Sequence, residues 1–210
     1  MSPDRVVKNV RLTVITDFVC VLAVCIGQHE LLDAINYCKD TLDLPLQFEM
    51  EHIPFRLISP TLLPDDIQTK EDREAFLSKV LGKERFMALQ SNVSKYAEEK
   101  DRPITLHGIM SPTTKAHRLV LKAGRLGGQK LQTPLISAIF AASMEEGKDI
   151  ADSEVLADLA SECGVLSREE TTAFIDSDEL KKEVEEMSAA ARAKGITGVP
   201  IIIIDGKWAV

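Results

Sequence analysis

The residues of this chain with the widest range of chemistry are its cysteines. There are four of them: Cys20, Cys25, Cys38 and Cys163. An ionised thiol is a nucleophile and a metal ligand, whereas a neutral thiol packs like a small apolar group. Four scattered cysteines are too few for a disulfide scaffold, and a zinc site would need closely spaced cysteines or histidines, which this chain lacks. The sequence therefore predicts no metal site and leaves catalysis or packing to explain the thiols.

Cys20 stands between a predicted strand and a predicted helix. The strand covers residues 11–16, RLTVIT, because β-branched residues alternate there. The helix covers 27–38, where Leu31, Ile35 and Cys38 form an apolar stripe. The positive end of a helix dipole and its unpaired N–H groups stabilise a thiolate. Cys20 is therefore the candidate nucleophile, and the alternative is a small buried group at a strand end.

Cys25 follows Cys20 at a spacing that does not suit a disulfide on a regular helix. Residues five apart in an α-helix have Cα atoms about 9 Å from one another. A disulfide needs roughly 4.4 to 6.8 Å between Cα atoms. The two thiols could join only if residues 21–23 form an irregular loop. We expect Cys25 to pack in the interior and keep it as a candidate second thiol, while Cys38 and Cys163 are predicted to pack in the core.

The order of the predicted elements indicates a sheet domain interrupted by helices. A second strand is predicted over 46–55, a turn over 60–66, and helical patterns dominate 70–175. A further helix over 177–194 precedes a strand of four isoleucines that is fit for burial on both faces, and Asp205-Gly206 is a strong hairpin signal. The predicted α/β architecture has a core formed by 1–60 and 177–210 and a helical insertion formed by 61–176.

Charge and hydropathy exclude several classes of protein. The net charge is −8 and the sequence pI about 5.1, so no basic stripe is available for a nucleic acid. No run approaches the roughly 18 to 20 apolar residues of a membrane span. The amino-terminal region lacks the apolar core and cleavage site of a secretory signal, so we expect a cytoplasmic protein.

Five stretches of the sequence resemble the DsbA-like thioredoxin family, in the branch of FrnE and 2-hydroxychromene-2-carboxylate isomerase. They are TDFVC, IGQHELLDAI, AHRL, EGKDIADSEVLADLASECG and GITGVPIIIIDGKWAV, in this order along nearly the whole chain. The resemblance implies a thioredoxin-like fold with an all-helical insertion. It also implies a cis peptide between Val199 and Pro200 beside Cys20, with the backbone of Val199 available to pair with an extended thiol peptide.

The cysteine motif departs from that family. Redox relatives carry CPWCYIG, whereas this chain carries CVLAVCIG at 20–27, so the first cysteine is retained and the spacing becomes Cx4C. The resemblance places Asp17 near the thiol, where an acid can move protons, although a loop-capping aspartate is at least as well supported. His117, within AHRL, either faces the cleft between core and insertion or packs between helices, and we favour packing.

Three functions stay open. The first is thiol-disulfide oxidoreduction or thiol transfer through Cys20 alone. The second is a glutathione-dependent isomerase or transferase for a small aromatic or polyketide-like molecule, in which the residue at position 20 steadies the glutathione sulfur. The third is a non-redox enzyme or binding protein that uses the cleft for a small molecule.

The resemblance also bears on assembly. Relatives continue past GKWAV with SGAQ and a closing helix that covers one face of the sheet. An uncovered strand rich in isoleucine favours association, so we expect a homodimer.

Overall fold

The computed structural model of the protein describes residues 6–67 and 69–209, and of Ile26 it describes the backbone alone. The strands are β1 (Lys8–Thr16), β2 (Leu46–Pro54), β3 (Glu71–Asp72), β4 (Ile109–Met110), β5 (Ile201–Ile204) and β6 (Trp208–Ala209). The α-helices are α1 (Leu31–Asn36), α2 (Arg73–Leu81), α3 (Lys83–Lys100), α4 (Thr114–Gly127), α5 (Gln129–Met144), α6 (Ser153–Glu162), α7 (Arg168–Asp176) and α8 (Lys181–Ala193). The predicted strands and helices thus exist, with ends shifted by a few residues.

The main sheet has the strand order β2-β1-β5-β6. β1 pairs in parallel with β2, so that Thr16 lies opposite Pro54, and it pairs antiparallel with β5, so that Ile15 lies opposite Ile201. Parallel strands need a crossover connection, and here the helical segment after Cys20 supplies it. The end of β1 lies beside the start of β5, because the two strands are antiparallel. The chain after Thr16 is therefore close to the chain before Ile201.

The helical segment after Cys20 is wider than a regular α-helix. It consists of π-helical turns over Ala23–Glu30, the short α1, and further π-helical turns over Tyr37–Thr41. The predicted helix over 27–38 is therefore present, but its expected regular pitch is wrong. Its inner side packs Ile35 against Leu12 and Ile202 of the sheet. π-Helical turns are rare and are found most often beside functional sites.

The predicted hairpin joins β5 and β6. Asp205 and Gly206 both have positive φ, 51° and 68°, and Lys207 completes a three-residue loop between Ile204 and Trp208. The four isoleucines pack on both faces of β5, as predicted: Ile202 and Ile204 belong to one apolar cluster, and Ile201 and Ile203 belong to another. Burial is incomplete, since only Ile202 is buried and the other three are partly buried. No helix described over 6–67 and 69–209 is long and apolar enough to cross a membrane. Val210, the end of the predicted returning strand, lies outside the described residues.

The insertion is built from α2 to α7 and the small antiparallel sheet of β3 and β4. Its largest apolar cluster takes Leu119 from α4 and Phe140 from α5, and it also takes Phe18, Val24 and Cys25 from the chain after β1. The segment that carries the cysteines is therefore packed into the helical layer as well as placed by the sheet. The domain boundaries predicted from the sequence remain a prediction.

Candidate active site around Cys20 and the proline loop

Cys20 lies at the first turn of the helical segment that follows β1. The backbone N–H of Cys20 donates to the carbonyl of Asp17 at 3.1 Å, and the carbonyl of Cys20 accepts from the N–H of Ala23 at 2.9 Å. Its thiol donates to the carbonyl of Val199 at 3.4 Å. The Val199–Pro200 peptide bond is cis. The structure therefore brings together Cys20, Val199 and Pro200, which are far apart in the sequence.

Gly27 allows the helical segment to approach the proline loop. A Cβ atom at Gly27 would lie 3.0 Å from Cβ of Pro200, closer than nearly all real contacts of this kind. Only a residue without a side chain fits this approach without displacing the loop. The contact fixes the distance between the start of the helical segment and Pro200, and so between the two halves of the site.

The surroundings of Cys20 favour the neutral thiol. Burial raises the pKa of Cys20 to about 11, and the negative charge of Asp17 acts in the same direction. The N–H groups of Ala23 and Leu22 lower the pKa, as expected at a helix terminus, but their effect is the smaller one. The expectation of a thiolate stabilised by the helix end is therefore wrong for the free protein. At neutral pH the thiol carries its proton.

Asp17 and His117 form a buried pair beneath the cysteine loop. His117 Nε2 lies 3.3 Å from Asp17 Oδ1, and the N–H of Leu57 donates to Asp17 Oδ2 at 2.6 Å. Both side chains are almost wholly buried, and the His117 ring lies 4.9 Å from the Phe18 ring, centroid to centroid. Asp17 thus holds the chain after β2 through Leu57, 40 positions away, and it also pairs with a histidine. His117 is buried and packed, which is the interpretation that we favoured, and it also bonds to Asp17.

Cys25 points away from the site. Its side chain is 3% exposed and belongs to the main apolar cluster, while Tyr96 donates its hydroxyl to the Cys25 carbonyl at 3.0 Å. Burial raises the pKa of Cys25 to about 11, with a further contribution from Cys20. All four cysteines are free thiols. Packing of Cys163 against the core is confirmed, whereas Cys38 is only partly buried and is not packed as predicted.

Two polar residues near the site have no counterpart in the sequence analysis. Thr16 ends β1 and His52 lies near the end of β2, and both side chains are buried behind the Asp17–His117 pair. Burial lowers the pKa of His52 to about 4, so the ring is neutral at neutral pH. The sequence could have indicated that His52 is buried. His52 lies on the same face of β2 as Phe48 and Met50, and that face packs inward.

A surface pocket lies between the turn after β2 and the insertion. It has a volume of about 240 Å³ and is lined by Asp65, Lys70, Met110 and Lys115 among others. Met110 also packs against Val19, the residue before Cys20.

Among the described residues no group of three or more histidine, cysteine or acidic side chains could hold a metal ion. The groups around Cys20 are its thiol, the Asp17–His117 pair and the backbone of the proline loop.

The sequence and the fold were compared with known proteins. The sequence model of the DSBA-like thioredoxin domain family matches residues 14–210. Among curated protein sequences, none matches the chain.

Several solved structures share the fold. A probable DsbA oxidoreductase from Streptomyces coelicolor is 22% identical, with 96% of this chain and 82% of that one covered and a TM-score of 0.76. A 2-hydroxychromene-2-carboxylate isomerase is 14% identical, with coverage of 95% and 88% and a TM-score of 0.64. The cytosolic disulfide reductase DsbM from Pseudomonas aeruginosa, in a structure with GSH, is 18% identical, with coverage of 95% and 89% and a TM-score of 0.58. At these identities the likeness shows a common fold.

Proposed function

Since the chain belongs to the DSBA-like thioredoxin domain family, we propose that it is an enzyme of thiol-disulfide exchange that acts through Cys20 as its single reactive cysteine. One observation carries this proposal: the Cys20 thiol lies 3.4 Å from the carbonyl of Val199, in the loop that contains the cis peptide. A substrate sulfur that reaches Cys20 therefore meets the backbone of the partly buried Val199 as well as a nucleophile. Backbone pairing of this kind binds an extended thiol peptide without a dedicated side-chain pocket.

The proposed reaction begins with loss of the thiol proton. The Asp17–His117 pair receives the proton of Cys20, and the thiolate then attacks the disulfide of the substrate. The substrate S–S bond breaks, one half leaves as a thiolate that takes up a proton, and the other half stays bound to Cys20 as a mixed disulfide. A glutathione thiolate then attacks the substrate sulfur of that mixed disulfide. The bound half leaves joined to glutathione in a new disulfide, and Cys20 is released as a thiolate that takes up a proton. Cys25 takes no part, because its side chain lies in the core.

Mass spectrometry after incubation with glutathione disulfide tests this proposal. We expect a glutathione adduct on Cys20 and catalysed exchange between glutathione and a small disulfide. The Cys20→Ser variant loses both, while Cys38→Ser, which removes another partly buried thiol, keeps them. Adducts confined to Cys38 or Cys163, with exchange unchanged in Cys20→Ser, would refute the proposal.

The raised pKa of Cys20 favours a second candidate, a glutathione-dependent isomerase or transferase for a small molecule. A neutral thiol donates a hydrogen bond, which is what stabilises a bound glutathione thiolate. A serine hydroxyl makes the same bond, so Cys20→Ser would keep this activity and lose disulfide exchange. Glutathione at millimolar concentration would raise the melting temperature of the wild type and of Cys20→Ser without forming an adduct. For either candidate we propose a cytosolic location, where glutathione keeps thiols reduced.

A further inference from the structure

A small cavity lies behind the Asp17–His117 pair, between the ends of β1 and β2 and the helices α4 and α5. Its polar lining is Thr16, His52 and His117, and the rest is apolar, including Phe18 and Ile136. The volume open to the centre of a water molecule is about 10 Å³. One bound water needs roughly 10 to 15 Å³ on this measure. The cavity therefore has room for one water molecule and for nothing larger.

Two of the three polar side chains of this cavity, those of Thr16 and His52, lack partners among the described residues. Thr16 Oγ1 and both ring nitrogens of His52 are buried and make no hydrogen bond to the described residues. Thr16 is 4% exposed and His52 is 7% exposed, so bulk water does not serve them. Buried polar groups in native proteins are nearly always bonded to protein or to ordered water. A neutral imidazole needs one acceptor and one donor as partners, and the rest of the lining offers neither.

We propose that the cavity holds one ordered water molecule that bonds to Thr16 Oγ1, to the ring of His52 and to the ring of His117. A buried water makes about three hydrogen bonds, which is the number of polar side chains around this cavity. Through the water, His52 is a positioning residue for His117. His117 can donate from Nε2 to Asp17 Oδ1, 3.3 Å away, only while its proton is on Nε2, and a water that donates to its other nitrogen holds that tautomer.

A crystal structure of the full chain at atomic resolution tests the water directly. We expect a single peak of density within hydrogen-bond distance of Thr16 Oγ1 and a nitrogen of His52. A second measurement, the ring ¹⁵N shifts of His117, reports its tautomer. We expect one tautomer in the wild type and a mixture of two in both Thr16→Val and His52→Phe. Thr16→Ser keeps the hydroxyl and should restore the wild-type shifts.

The chain offers a matched control for stability. Thr133 Oγ1 on α5 is another buried hydroxyl without a partner, and Thr133 does not line this cavity. If Thr16 bonds to a water, Thr16→Val should lower the melting temperature by about 2 to 4 °C, while Thr133→Val leaves it unchanged or raises it. An empty cavity, or Thr16→Val as stable as Thr133→Val, overturns the water site. A single unchanged His117 tautomer in Thr16→Val and His52→Phe overturns the positioning role.

The water site does not rest on the proposed function. Only its consequence for proton transfer from Cys20 to the Asp17–His117 pair does. The electron density, the melting temperature and the ¹⁵N shifts of His117 are all measured on the protein without substrate. The exchange assay with glutathione disulfide is read separately, so an inactive protein with an occupied cavity would refute the function and leave the water site in place. An active protein with an empty cavity would do the reverse.

Discussion

Cys20 and Cys25 lie five positions apart, and their surroundings give them different chemistry. Burial raises the pKa of both thiols to about 11. Cys20 is partly exposed and contacts the Val199 carbonyl, whereas Cys25 is enclosed in the apolar cluster of the insertion. The pKa therefore does not distinguish the two residues. Access to a partner sulfur and to the backbone of the proline loop does.

The largest expected difference between the two thiols is in catalysis. Cys20→Ser should abolish glutathione-dependent disulfide exchange, while Cys25→Ala should leave its rate within about twofold of the wild type, because the Cys25 side chain does not reach the site. The measurement is the initial rate of exchange at fixed glutathione concentration. Loss of activity in folded Cys25→Ala would mean that the second thiol takes part.

The next difference is in stability, and it runs the other way. Cys25→Ser places a hydroxyl in the apolar cluster without a partner and should lower the free energy of unfolding by about 1 to 3 kcal/mol. Cys20→Ser should cost less than about 1 kcal/mol, since the hydroxyl can donate to Val199 as the thiol does. Urea unfolding of the two variants measures this. Equal losses would contradict the different placement of the thiols.

Removal of the charge on Asp17 should separate the two pKa values. Asp17 raises the pKa of Cys20 and is not among the causes that act on Cys25. Asp17→Asn should therefore lower the pKa of Cys20 and speed its alkylation at pH 8, since a lower pKa means a larger fraction of thiolate. Cys25 should stay unreactive in the native state. Alkylation followed by mass spectrometry reads both sites, and an unchanged rate at Cys20 would show that the carboxylate is too far away to act.

The smallest expected difference is in the response to alkaline pH. Each thiol has a folded pKa raised above its unfolded value of about 9, so its contribution to stability is complete below pH 9 and is lost as the pH rises toward 11. The free energy of unfolding of the wild type should fall over that window. The fall should be shallower in Cys20→Ser and in Cys25→Ala, each of which removes one titrating group. If the free energy of unfolding fell with the same slope in all three proteins, neither thiol would be the cause of the fall.

Much of this fold is readable from local sequence. β-Branched runs gave the strands, and Asp205-Gly206 gave the hairpin because the loop needs positive φ at both residues. The proximity of Cys20 and Pro200 came from the family resemblance, since nothing local links residues so far apart. The regular helix after Cys20 was predicted from an apolar stripe, but such a stripe does not distinguish α-helical from π-helical turns.

The electrostatics of the site were beyond the sequence. The pairing of Asp17 with His117 joins residues 100 positions apart and depends on how α4 packs against the cysteine loop. The position of Cys20 at a helix end correctly indicated that backbone N–H groups lower its pKa. The sequence could not show that burial raises this pKa by more. His52 carried no motif, and its role follows only from the buried space that it shares with Thr16 and His117.

The contact between Gly27 and Pro200 sets a rule for redesign. Shortening residues 21–24 would bring the second cysteine closer to Cys20, but it would also change which residue lies opposite Pro200. The redesigned chain must keep a glycine at that place. A methyl group arriving opposite the proline ring would meet it at about 3.0 Å and push the loop out of place. The proline loop thus limits how far the cysteine loop can be rebuilt, even though the two segments are 173 positions apart, from 27 to 200.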